Sequence, residues 1–289
     1  MKVSGFSFIR NAIKYDYPIV EALRSILPLC DEVVLAVGQS EDETLELVQS
    51  IDPKIRIIET IWDDSLRKSG GVLAQETNKA FDAVAEDSDW CFYIQGDEVI
   101  HEQDYDSIRK GMREHLEDQR VEGLLFDYLH FYGSYDYIGD SRNWYRKEIR
   151  IIRNDKKIRS FRDAQGFKKA GEKLKVKAIN AHIYHYGWVK HPMHQQQKQL
   201  NFNKLWHDDE WVATHIPKIE QFDYSKIDSL QRFKGMHPKI MQDRIQKMNW
   251  NFSFDPTQRK LSTKEQLSRW LEKLTGIRAG EYKNYVLLK

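Results

Sequence analysis

The chain has 289 residues, with 45 Lys and Arg against 44 Asp and Glu, giving a formal net charge of +1. With 40% apolar and 31% charged residues, it has the balance of a globular protein with an ample core. Collagen-like, low-complexity and polybasic coat-like chains are excluded, and the neutral balance speaks against a dedicated nucleic-acid binder. Cys30 and Cys91 stand far apart in apolar segments, which argues against a disulfide framework or a cysteine-based zinc site. The start, Met1-Lys2-Val3-Ser4-Gly5-Phe6, lacks an apolar signal core, and no apolar run approaches the length of a membrane span. A cytoplasmic location is expected, with peripheral contact at the inner face of the membrane left open.

The first hundred residues alternate strand and helix patterns. Residues 3–9 read as a strand ending in Arg10-Asn11. Ile19, Val20, Leu23, Ile26 and Leu27 mark one helix face. Residues 32–37 are an almost wholly apolar strand, followed by Gly38-Gln39-Ser40-Glu41-Asp42, where Ser40 and Glu43 have capping-box spacing. Leu45, Val48 and Ile51 continue that helix. Residues 54–61 form a third strand, and Leu73, Thr77, Ala80, Phe81 and Val84 a third helix. Residues 90–94 form a fourth strand ending in Gln95-Gly96-Asp97-Glu98. Apolar strands alternating with helices predict an α/β fold, a mostly parallel sheet covered on both faces. Such sheets hold ligands at the carboxyl ends of their strands.

A fourth helix carries Tyr105, Ile108, Met112 and Leu116. Residues 121–131 read as a strand, 132–137 as an aromatic loop, and 148–152 and 176–186 as further strands. From about residue 192 the chain turns polar and helical, and Ser262 with Glu265 caps a last helix bearing Leu267, Trp270, Leu271 and Leu274. The expected division is 1–191, with halves of about 1–115 and 116–191, followed by a mainly helical extension over 192–289.

Asp97 and Glu98 offer two hard oxygen donors at a strand end, suited to Mg²⁺ or Mn²⁺; the competing reading is a charged strand exit. His182 and His185 are three apart and point to opposite faces of a regular strand, so one of them, His185, is the candidate to complete the acidic site. Arg67 and Lys68 precede Gly70-Gly71 at a helix start, a phosphate-holding pattern; the competing reading is a solvated loop. Asp42 suits a contact to a base or ribose and equally a helix-end charge. Gln75 and Asn78 stand one turn apart on the third helix. Asp163 is a candidate general base for a group transfer, in competition with Asp127, Asp136 and Asp140. No dinucleotide fingerprint, P-loop or nucleophile elbow occurs in the sequence.

The segments Phe6-Ser7-Phe8-Ile9-Arg10-Asn11, Cys30 to Thr44, Trp62 and Asp89 to Glu98 resemble, in order and spacing, the family-2 glycosyltransferases of GT-A fold, over roughly residues 1–115. His185-Tyr186-Gly187 is similar to a His-Tyr-Ser found in some lipopolysaccharide-core members. The resemblance implies a GT-A fold, with a single mostly parallel sheet flanked by helices and a helical C-terminal extension. It also implies an inverting transfer from a UDP-, GDP- or dTDP-sugar to a hydroxyl of a glycan or glycolipid in polysaccharide biosynthesis. Asn11, Asp42, Arg67, Asn78 and Asp97 would bind the donor, Asp97, Glu98 and His185 would hold Mn²⁺ or Mg²⁺, and Asp163 would be the base. Gln95 stands where the family often has its first carboxylate. The alternatives are a non-catalytic sugar-nucleotide-binding or interaction protein and a sugar-phosphate nucleotidyltransferase; the latter usually has a Gly-rich basic loop after strand one, which this chain lacks. The aromatic segment 131–137 and Trp188 suit either sugar stacking or the core.

Overall fold

A computed structural model describes residues 1–289 apart from residues 64, 67–69, 208, 217, 218, 277 and 279 and the side chains of residues 209 and 273. The first part runs β1 (Val3–Ile9), α1 (Ile19–Ile26), β2 (Glu32–Gly38), α2 (Thr44–Gln49), β3 (Ile55–Thr60), α3 (Gly71–Asp82) and β4 (Trp90–Tyr93). The middle runs β5 (Glu98–Ile100), α4 (Tyr105–Glu114), β6 (Gly123–Tyr132), β7 (Ser134–Gly139), β8 (Lys147–Arg153), β9 (Ile158–Ser160), β10 (Phe167–Lys169) and β11 (Glu172–Trp188). The last part is α5 (Pro192–Lys204), α6 (Asp209–His215), β12 (Leu230–Arg232), α7 (Gln242–Gln246), α8 (Thr263–Thr275) and β13 (Tyr285–Leu287).

One sheet carries the molecule, in the central order β3-β2-β1-β4-β8-β6-β11. The strands β3, β2, β1 and β4 are all parallel. Beyond them β8 runs antiparallel to both β4 and β6, while β6 and β11 are parallel again. The single helix-flanked sheet with a helical C-terminal part is the GT-A architecture expected, with its parallel character concentrated in the first half and mixed pairing beyond. The apolar run of β2 shows why both faces are covered. Val33, Leu35 and Val37 join the buried cluster that holds α1 and Val48 of α2 on one side, and Val34 and Ala36 pack against α3 on the other, as a period of two requires. Helix α1 buries Ile19, Ala22, Leu23 and Ile26, and it tightens into a 3-10 turn over Leu27–Leu29, where Pro28 has no N–H to continue the α-helical ladder.

Three local features differ from the sequence expectations. Ser40 does not cap α2: its hydroxyl donates to the Gly38 carbonyl, and Asp42 accepts from the Thr44 N–H at 3.1 Å instead, a turn that an Asp side chain forms readily. Residues 134–139 are strand rather than loop, because Gly133, at φ 72°, lets the chain reverse between β6 and β7. Tyr132, Tyr135 and Tyr137 are buried there, so these rings are core. Helix α8 has its expected Ser262–Glu265 capping box but docks through its polar face, with Arg269 on Asp140 and Glu272 on Arg146; Leu267, Trp270, Leu271 and Leu274 are exposed.

The segment after residue 192 is stitched to the rest: β12 pairs with β7 and β13 with β11. Among the described residues no helix is long and apolar enough to cross a membrane. Cys30 and Cys91 are buried free thiols.

Candidate functional site

The strand order reverses between β1 and β4, since β2 and β3 lie on one side of β1 and β4 on the other. Carboxyl ends of strands diverge at such a point and leave a crevice, and a cleft lies there. Arg10 and Asn11 follow β1, Trp62 follows β3, and Gln95, Gly96 and Asp97 follow β4; all line the cleft. The β9–β10 loop adds Asp163 and Gln165, the end of β11 adds His185 and Trp188, α5 adds Lys198 and Phe202, and Leu205 follows just past its end.

Asp97 is buried at 8% exposure, and its carboxylate is paired. Lys198 Nζ donates to Asp97 Oδ2 at 3.0 Å and to the Gly187 carbonyl at 3.0 Å. Burial pushes the Asp97 carboxyl up, but the nearby cations, Lys198 first, outweigh this and hold it well below the usual carboxylate range. His185 Nε2 lies 3.8 Å from Asp97 Oδ1. Burial pulls the imidazole down to about 4, so His185 is neutral. His130 Nε2 lies 2.9 Å from the Tyr145 carbonyl, and the two histidines meet Nδ1 to Nδ1 at 3.2 Å. A carbonyl only accepts, so this hydrogen-bond chain assigns the His130 proton to Nε2 and the His185 proton to Nδ1. His185 Nε2 is then an acceptor turned toward Asp97.

Only a glycine fits at position 187. A Cβ there would lie 2.6 Å from both Asp97 Oδ2 and His185 Nε2. Gly187→Ala is expected to force the carboxylate and imidazole apart at a cost of about 1–3 kcal/mol, the usual range for overpacking. Urea unfolding of the variant against wild type measures it.

Glu98 faces the other way. Asp97 lies in a turn closed by the Glu98 N–H donating to the Gln95 carbonyl at 3.1 Å and borders the cleft, whereas Glu98, the first residue of β5, turns inward. There Arg150 grips it bidentately, Nε to Oε2 at 2.8 Å and a terminal nitrogen to Oε1 at 2.6 Å, with both side chains fully buried. The Tyr128 hydroxyl and the Gln95 N–H also donate to Glu98. Burial works against the Arg150 charge, but Glu98 more than offsets it and raises Arg150 above its ordinary value.

The residues expected to hold Mn²⁺ or Mg²⁺ therefore do not fit that role as arranged. Glu98 is spent on Arg150, one Asp97 oxygen is spent on Lys198, and an ammonium already sits against that carboxylate. Gln95 is spent as well, its amide donating to the Tyr93 hydroxyl and the Ala164 carbonyl. Among the described residues no group of three or more His, Cys, Asp or Glu is placed to hold a metal ion.

Asp163 sits on an unusual backbone. Its neighbours Arg162 and Ala164 both have positive φ, 55° and 61°, a region costly for residues with a Cβ. Gly70 packs against it from behind; at φ 69° and with a Cβ position 3.0 Å from the Asp163 Cα, that site suits glycine alone. The Gln95 amide donates to the next carbonyl, that of Ala164, at 3.2 Å and so fixes the Asp163 loop. Burial raises the Asp163 carboxyl above its ordinary value.

The remaining candidates are dispersed. Asn11, at φ 54°, borders the cleft, but its side-chain oxygen accepts from the Glu41 N–H at 2.7 Å. Asp42 holds the start of α2 and the Lys14 N–H, and it borders a separate hollow with Gly38 and Thr60. Asn78 exchanges both ends of its amide with the Ser160 backbone, tying α3 to β9 away from the cleft. Arg67 and Lys68 lie outside the described residues. His182 pairs with Asp104 on the opposite side of β11 from His185.

Sequence reasoning missed Lys198 and Arg150. Lys198 shares an inward α5 face with Gln195 and Phe202, a three- and four-residue spacing visible in the sequence. Arg150 was visible as a lone charge inside the apolar run Ile149-Arg150-Ile151-Ile152, which calls for a buried partner.

Sheet order and cleft position together define an α/β protein of GT-A form with a ligand crevice at its switch point. No protein-family model and no curated protein matches the chain. Solved structures similar to it include Staphylococcus aureus TarS, at 16% identity and a TM-score of 0.40, covering 70% of this chain and 39% of that one. TarS 1–349 in complex with UDP-GlcNAc is 15% identical with a TM-score of 0.40, covering 70% of this chain and 65% of that one. Glucosyl-3-phosphoglycerate synthase from Mycobacterium tuberculosis, in complex with Mn²⁺, UDP and phosphoglyceric acid, is 16% identical with a TM-score of 0.30, covering 45% and 43%. This chain thus spans less than two thirds of each of them. Likenesses of this depth say nothing of substrate, and the fold assignment rests on the strand order itself.

Proposed function

We propose that the protein is a glycosyltransferase that moves a sugar from a nucleoside diphosphate donor to a hydroxyl of a glycan or glycolipid, inverting the anomeric carbon. The observation that carries this reading is the convergence of Asp97, Asp163 and His185 on one cleft at the carboxyl ends of β1 and β4. Asp163 takes the proton of the acceptor hydroxyl. The acceptor oxygen attacks the anomeric carbon from the face opposite the diphosphate, which leaves with the bonding electron pair. Trp62, with the Arg10 guanidinium 5.3 Å from its ring centre, offers a flat face to a base or sugar ring, and Trp188 offers a second. No step is routed through Mn²⁺ or Mg²⁺, because the carboxylates that would hold the ion are committed to Lys198 and Arg150.

The test is a calorimetric titration with UDP-, GDP- and dTDP-sugars, with and without Mn²⁺, together with an assay for nucleoside diphosphate release. Binding of one base series with slow donor hydrolysis is expected. Binding without hydrolysis or transfer to any glycan acceptor would favour the non-catalytic sugar-nucleotide-binding alternative. Absence of binding throughout would remove the proposal.

A further inference from the structure

Resting on the transferase reading of the same cleft, we propose that Lys198 is a built-in cation that holds the donor diphosphate in the place a divalent ion would take. Asp97 stands at the end of β4, where the sequence resemblance puts a metal-binding carboxylate. In the folded protein the group in contact with that carboxylate is an ammonium. It arrives from α5, 101 positions along the chain, and its two acceptors, Asp97 Oδ2 and the Gly187 carbonyl, hold it at the cleft wall. The Lys198 and Asp97 side chains are 13% and 11% exposed, so the pair is shielded from water yet borders the cleft.

Two of the three Lys198 donors are used by those acceptors, which leaves one for a ligand oxygen. The Tyr17 ring supports the arrangement, with its centre 5.0 Å from Lys198 Nζ and 4.6 Å from Lys190 Nζ. Lys190 is fully buried behind, donating to the Asp16 carbonyl at 2.5 Å. Burial disfavours the Lys198 charge, but Asp97 more than offsets this and raises its pKa, so the ammonium persists at neutral pH. A donor fixed before the ligand arrives costs no reorganisation when charge develops.

In the transfer, the bond from the anomeric carbon to the diphosphate oxygen breaks, and its electron pair stays on that oxygen. The acceptor oxygen forms the new bond, and its proton passes to Asp163. Lys198 keeps its own proton throughout and donates a hydrogen bond to the diphosphate, offsetting the charge that the leaving group gains. The lysine is thus a diphosphate-binding residue, and Asp97 positions it. The Gly187 approach and the Gln95 substitution are consistent with a site shaped around an ammonium.

Calorimetry with inorganic pyrophosphate, UDP, GDP and dTDP tests this, each in excess EDTA and again with Mn²⁺. The proteins are wild type, Lys198→Met, and the double variant Asp97→Asn with Lys198→Gln. The double variant keeps a neutral hydrogen-bonded pair in place of the ion pair, and a thermal melt reports its folding. Wild type should bind pyrophosphate and one nucleoside diphosphate equally well, within about twofold, in EDTA and in Mn²⁺. Both variants should lose roughly 10- to 100-fold in diphosphate affinity, the weight of a charged hydrogen bond, while affinity for the parent nucleoside stays as in wild type. Binding that EDTA abolishes and Mn²⁺ restores in wild type would overturn the proposal, and that arm needs no variant to fold. Undiminished diphosphate binding by both variants would do the same. Pyrophosphate binding that depends on Lys198, with no nucleotide sugar hydrolysed or transferred, would support the cation site and remove the transferase reading. Mn²⁺-dependent transfer that persists without Lys198 would do the reverse.

Discussion

Asp163→Asn is expected to slow sugar transfer by roughly 10²- to 10⁴-fold, the share that a general base usually carries. Asn has the size of Asp and still accepts hydrogen bonds, so the β9–β10 loop should hold its shape and nucleoside diphosphate affinity should be unchanged. What disappears is the proton acceptor. The pH profile supplies an independent mark. Burial raises the Asp163 carboxyl, while the backbone N–H groups of Asp163 and Gln165 pull it down by less. A base works only when ionised, so the wild-type rate should climb with pH through the native pKa and then level. That acid limb should lie above about pH 3.9, the ordinary aspartate value. The Asn variant should lack it. A kcat in Asp163→Asn equal to that of wild type would move the base elsewhere. The left-handed residues on either side of Asp163 suit this role, because strained backbone persists only where the surroundings impose it.

Glu98→Gln should have the largest effect on stability, a loss of about 3–5 kcal/mol, the cost of leaving a buried charge without its partner. The Arg150 guanidinium would remain at 0% exposure with a neutral amide in place of the carboxylate it grips. Urea denaturation reads this as a lowered midpoint. A metal ligand on a cleft wall would behave in the opposite way, with activity falling at an unchanged midpoint. The variant therefore separates an internal ion pair from a ligand for Mn²⁺ or Mg²⁺, and an unshifted midpoint would return Glu98 to the metal site.

Much of the frame was legible because it is local. The apolar alternation of β2, the spacing of Ile19, Leu23 and Ile26, and the acidic turn after β4 all lie within short windows, and the cleft falls where strand ends predict. Asp97, His185 and Asp163 do meet there. The rest depends on contacts that no window contains. Glu98 reads as the twin of Asp97 until β5 pairs with β11 and turns the two side chains apart. Asn78 and Asp42 are polar groups beside the sheet ends, but nearby backbone N–H groups take up their oxygens. The aromatic segment was open between sugar and core, and pairing of β7 with β6 and β12 settles it as core. Lys198 falls on the spacing of an inward helix face, but its partner is a carboxylate far upstream.

The long strand β11 pairs with β6, β5, β10 and β13, and it carries His182, His185 and Gly187. Its neighbours include elements from before residue 132 and from the last five residues of the chain. Parts that share one strand at their centre cannot lose it separately. The consequence is cooperative: residues 1–191 and 192–289 should melt together, as one folding unit with no stable fragment on either side of residue 192. The cleft cannot be complete until α5 has joined the sheet ends, because its Asp97–Lys198 pair closes a loop of about a third of the molecule. Assembly of the site is thus among the slow, non-local steps of folding, and binding competence should report the fully folded chain.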